Sequence, residues 1–61
     1  MRVMEIADRL VRCVCVVTCE VYIEGTLLYK GNVYNLPYHI LKCSATRWDM
    51  NDYHAIIHIE L

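Results

Sequence analysis

Apolar residues at Val3, Ile6, Ala7 and Leu10 recur at the i, i+3, i+4, i+7 spacing of a helix, while Arg2, Glu5, Asp8, Arg9 and Arg12 fall mostly on the other side. The spacing predicts a short helix over Val3 to Val11. Glu5 and Arg9 stand four apart with the acid first, an orientation expected to add roughly 0.3 kcal/mol. So short a segment is not helical alone in water, so this one is predicted to lie on a sheet.

The period changes to two at Cys13. Cys13, Cys15, Val17, Cys19, Val21 and Ile23 form one apolar row, predicted to face the helix. Val14, Val16, Thr18, Glu20, Tyr22 and Glu24 form the other, which turns polar toward Glu24. Val14 and Val16 are apolar on the row that water should meet. Either something covers them, or residues 12–17 are a loop or a helical extension. Gly25-Thr26 marks a turn, and Leu27 to Asn32 reads as the returning strand of a hairpin, with Gly31 placed to permit a bulge or bend. Asn35-Leu36-Pro37 reads as a helix start, Asn35 capping and Pro37 in the first turn, which predicts a short helix over residues 36–42.

A second hairpin follows. Ser44 to Met50 reads as a strand with Thr46, Trp48 and Met50 on one side and Ala45, Arg47 and Asp49 on the other. Asn51-Asp52 is the expected turn. In the last strand, Tyr53, Ala55, Ile57, Ile59 and Leu61 are expected to face inward, and His54, Ile56, His58 and Glu60 outward. The expected fold class is therefore α+β: a small antiparallel sheet of about four strands in two hairpins. The N-terminal helix packs on one face and a short helix joins the hairpins. With 61 residues the chain is read as a single domain, 1–61, with a small core.

Composition changes this picture in two ways. An apolar fraction of 57% exceeds what so small an interior absorbs, which points to a homo-oligomer or a partner surface. A net charge of −1, with its cations scattered, argues against nucleic acid as the partner. The longest uncharged run, Cys13 to Cys19, is far too short to cross a bilayer, and Glu5, Asp8 and Arg9 interrupt any leader-like stretch. The expectation is a cytoplasmic protein with no membrane role.

Candidate chemistry is sparse. Cys13, Cys15 and Cys19 lack the second Cys-x2–4-Cys pair that zinc sites favour, so the cysteines are read as reduced, buried thiols. A zinc-stabilised module remains the rival reading. His54, His58 and Glu60 share one face of the last strand, with Glu20, Tyr22 and Glu24, or Arg47 and Asp49, as potential neighbours. Residues i and i+4 on a strand lie roughly 13 Å apart, too far for one metal to hold both histidines, so this face reads as solvated. Burial raises a thiol pKa, and Cys43 sits at the wrong end of a helix dipole to be a thiolate. With only Gly25 and Gly31, no phosphate-binding loop exists. The reading is of no enzyme, no cofactor and no metal. Instead, 5 tyrosines and one tryptophan without any phenylalanine suit recognition surfaces that are apolar in body and wet at the tip. The candidate binding residues are Val14, Val16, Tyr22, Tyr29, Tyr34, Tyr38, Arg47 and Trp48.

The segment VYIEGTLLYKGNVYNLPYHIL from Val21 to Leu41, with the tail AIIHIEL, resembles small uncharacterised proteins encoded by phages and prophages of Gram-positive bacteria. Their pattern is a helix, a strand, a short turn, LLY-x-G-x-V, a Leu-Pro turn and an apolar tail. The cysteine-rich stretch Cys13–Cys19 departs from it, since acidic loop residues are expected there. The resemblance implies a phage or mobile-element protein in a host cytoplasm and brings no catalytic residues. The functional expectation is a non-catalytic interaction protein that inhibits a host or defence protein by binding. The alternative is an oligomeric binder of nucleotides, in which Arg47, Arg12 and the tyrosines contact phosphate and base.

Overall fold

The computed structural model describes residues 1–12 and 18–60. Cys13, Val14, Cys15, Val16, Val17 and Leu61 lie outside them, and with them the two outward valines of the candidate surface. Helix α1 (Val3–Arg12) is followed by strands β1 (Thr18–Ile23) and β2 (Thr26–Asn32). A single 3₁₀ turn (Val33–Asn35) and helix α2 (Tyr38–Leu41) then lead to β3 (Ser44–Asn51) and β4 (His54–Glu60). The class is α+β, as the periodicity predicts.

The sheet order is β2-β1-β4-β3, so the two hairpins join through their inner strands. Both hairpins are antiparallel, but β1 and β4 run parallel, with Val21 beside Ile57 and Tyr22 beside His58. The sheet is therefore mixed rather than wholly antiparallel. A parallel pair demands a connection that returns the chain across the sheet. The stretch from Val33 to Cys43 does this, and buries Val33, Leu36 and Ile40 against α1 and the sheet. Alternation within a strand carries no information about which way its neighbour runs.

The core lies on one face only. Val3, Ile6, Ala7 and Leu10 of α1 meet Cys19 and Val21 of β1 and Ala55, Ile57 and Ile59 of β4. These are the predicted inward rows, and full burial of a side chain such as Ile6 or Ile57 contributes about 2 kcal/mol. At its start α1 is held twice. Val3 N–H donates to the Cys43 carbonyl at 2.9 Å and Ala45 N–H to the Met1 carbonyl at 2.8 Å, so the first residues pair with the beginning of β3. Arg2 N–H donates to Glu5 Oε1 at 2.9 Å, which turns Glu5 into a cap for the helix start rather than a partner for Arg9. The i, i+4 ion pair forms one turn on, between Asp8 and Arg12 at 3.2 Å.

Turns and bulges correct several expectations by one residue. The first hairpin turns on Glu24-Gly25, both at positive φ (48° and 81°), because a two-residue loop matching strand twist needs that conformation. The second turns on Asp52-Tyr53, with Asp52 at φ 58°, since Asp tolerates the left-handed region better than most residues. Tyr53 consequently sits at the tip, exposed, instead of facing the core. The irregularity in β2 falls at Leu28, not Gly31: Val21 pairs with Tyr29 and Tyr22 with Leu27. Gly31 instead lies under the Tyr29 ring, where an added Cβ would stand 3.3 Å from the Tyr29 hydroxyl. In β3 the extra residue is Thr46, so Ala45 packs on the same side as Trp48 rather than opposite it. Asn35 does not cap α2. The capping side chain is Asn32, whose Oδ1 accepts from Tyr34 N–H at 2.8 Å and starts the 3₁₀ turn, while Pro37 itself stands just before α2.

Candidate functional site

Opposite the helices, the sheet presents a face that no described element covers. Outward residues of the two inner strands form its centre: Thr18, Glu20 and Tyr22 on β1 beside His54, Ile56 and His58 on β4. Leu27 and Lys30 of β2 flank them on one side, Arg47 and Asp49 of β3 on the other.

Parallel pairing brings these side chains into one hydrogen-bonded chain. Thr18 Oγ1 lies 2.8 Å from His54 Nδ1, and His54 Nε2 lies 2.6 Å from Glu20 Oε2. The Tyr22 hydroxyl donates to the other oxygen of Glu20. Tyr22 in turn stacks on His58, with ring centroids 5.6 Å apart and planes at 24°. Two side-chain hydrogen bonds, first from the Tyr22 hydroxyl and then from His54, hold the Glu20 carboxyl below the ordinary carboxylate range. The same bond stabilises the Tyr22 phenol and raises its pKa. Across the strand, Arg47 pairs with His58, placing a guanidinium-bearing residue at the end of the row Leu27, Tyr22, His58.

The predicted binding residues separate onto different surfaces. Tyr22 and Arg47 belong to this open face. Trp48 packs on the core side opposite Ile57. Tyr29 is half-buried against the core, its hydroxyl donating to the Asn32 carbonyl at 2.6 Å. Tyr34 and Tyr38 are exposed on the crossover. The alternation predicts a solvated face of His54, His58 and Glu60; the register instead joins His54 to Thr18 and Glu20 and stacks His58 on Tyr22. The signal was the run of polar residues at alternate positions in both strands; the unknown was that those strands are neighbours.

The cysteines divide as well. Cys19 is fully buried, and its thiol is pushed up to about 11, first by burial and then by the Glu20 charge. Cys43 is half-buried, its Sγ–H donating to the His39 carbonyl at 3.1 Å. Both are free thiols. Among the described residues no three His, Cys, Asp or Glu side chains converge on a common point. No described helix is long and apolar enough to cross a membrane. No protein-family model, curated protein or solved structure matches the chain.

Proposed function

We propose that this chain is a non-catalytic interaction protein of phage or mobile-element type that inhibits a host or defence protein by binding it in the cytoplasm. The observation that carries the reading is the uncovered sheet face, where Leu27, Tyr22, His58 and Ile56 present apolar and aromatic surface between charged side chains. Aromatic residues with a polar tip are those that interfaces favour at their centres. The immobilised chain should retain one defined protein from lysate of a Gram-positive host at micromolar concentration, and Ile56→Glu should release it. Retention of the same proteins by the variant, or of none by either, counts against the reading.

Self-association belongs to the same proposal, since the apolar excess has little core to occupy. Light scattering at micromolar concentrations should show more than a monomer. A second reading, nucleotide binding, draws on the Tyr22–His58 stack with Arg47 beside it, a base-stacking surface next to a cation. Stabilisation by one nucleotide in a thermal-shift series, abolished by Arg47→Ala, is its expected result.

A further inference from the structure

The open face holds a second, chemically distinct arrangement. His54 is engaged at both ring nitrogens, by the Thr18 hydroxyl at 2.8 Å and the Glu20 carboxylate at 2.6 Å. An ionised carboxylate only accepts, so the hydrogen of a neutral imidazole sits on Nε2. That leaves Nδ1 with its lone pair toward Thr18, and the hydroxyl donates to it. Glu20 is itself oriented, because its other oxygen receives the Tyr22 hydroxyl. Hydroxyl, imidazole and carboxylate thus stand in the order that activates a nucleophile: the base touches the hydroxyl, and a third group holds the base. Thr18 is exposed at the start of β1, within reach of a reagent from solution.

We propose that Thr18 is an acyl-acceptor site, its hydroxyl activated by His54 to take an acyl group from activated esters or thioesters. Thr18 Oγ attacks the carbonyl carbon and a new ester C–O bond forms. His54 Nδ1 takes the hydroxyl proton as that bond forms and returns it to the departing alkoxide or thiolate as the original C–O or C–S bond breaks. Glu20 remains ionised throughout and keeps the imidazole in place; it is a positioning residue. The step consumes one acyl donor per chain. It needs no oxidant, and it is compatible with a protein that otherwise works by binding.

The whole chain is incubated with p-nitrophenyl acetate, and acetylated positions are quantified by peptide mapping. Thr18 should be acetylated roughly a hundredfold faster than the exposed hydroxyls of Thr26 and Ser44, the acceleration expected of one positioned general base. This comparison lies within one folded chain, so no variant that unfolds confuses it. His54→Gln should bring Thr18 down to the Thr26 rate, and Glu20→Asp should retain a share of the rate that Glu20→Gln loses. Acetylation of Thr18 at the rate of Thr26 and Ser44 in the unaltered chain overturns the proposal, as does an unchanged Thr18 rate in a folded His54→Gln.

Discussion

The two faces of the sheet are made by the same strands and obey different rules. Toward the helices, β1 and β4 contribute Cys19, Val21, Ala55, Ile57 and Ile59, all of them buried, and the face is held by apolar packing alone. Away from them, the same strands contribute Thr18, Glu20, Tyr22, His54, Ile56 and His58, and the face is held by hydrogen bonds and one aromatic stack. Burial is non-directional and proportional to area, so the inner face specifies that the chain folds. Hydrogen bonds demand particular partners at particular distances. The outer face is therefore where the pairing of β1 with β4 is read residue by residue.

Adjacent isoleucines of β4 give the sharpest way to break this comparison. Ile57→Ala empties a fully buried position, and about 3 kcal/mol should be lost in urea unfolding, a large share of what a domain of this size has. Ile56→Ala, on the outer face, should cost under about 1 kcal/mol in the same assay. Equal losses would mean that something covers the outer face in solution.

The next effect is a pH dependence that belongs to the outer face. The Glu20 carboxyl titrates lower in the folded chain than in the unfolded one. Its contribution is therefore present above the ordinary carboxylate range and lost as the pH falls through the folded value. Acid unfolding followed by circular dichroism should show this, and Glu20→Gln should flatten the profile on the acid side; it should also soften the alkaline limb, because the Glu20 charge helps to raise both Cys19 and Tyr22.

On the inner face the sign reverses. The Cys19 thiol moves from 9.0 to about 11 on folding, so the folded chain binds the proton more tightly and stability falls as the pH rises between those values. Alkylation with peptide mapping provides the companion measurement. Cys43 should react in the folded chain and Cys19 only on unfolding, because a thiolate is the nucleophile and burial opposes it. Cys19→Ala should reduce the alkaline slope and leave the part that comes from the Tyr22 phenol, which folding also raises.

A small effect, local to the backbone, is expected at the tip of the first hairpin. Gly25 stands at φ 81° with nothing within 4 Å of an added Cβ, so Gly25→Ala meets only backbone strain. A loss of about 1 kcal/mol is expected by urea unfolding, without a change in partner retention or Thr18 acylation.

Much of the inner face was legible because its information is local. The i, i+3, i+4, i+7 row of α1 and the alternating rows of β1 and β4 name their own buried residues, and Val3, Ile6, Leu10, Val21 and Ile57 are where periodicity put them. Turn positions slipped by one residue at Glu24-Gly25 and Asp52-Tyr53, since backbone twist rather than side-chain type chooses the loop. Trp48 shows the cost of a bulge: alternation separates Ala45 from Trp48, but the extra residue Thr46 puts both on the core side. The outer network was only partly legible, because Glu20 and His54 are far apart in the chain and meet through a pairing no local pattern encodes.

By itself, the amino-acid sequence determined the element types, the buried rows and the α+β class, because those follow from periodicity and the aversion of apolar groups to water. The tertiary structure alone decided that β1 and β4 run parallel, that Thr18, His54, Glu20 and Tyr22 form one chain of hydrogen bonds, and that the tyrosines scatter over separate surfaces. Those outcomes depend on strand order and register, and register is set by long-range packing together with two bulges, at Leu28 and Thr46.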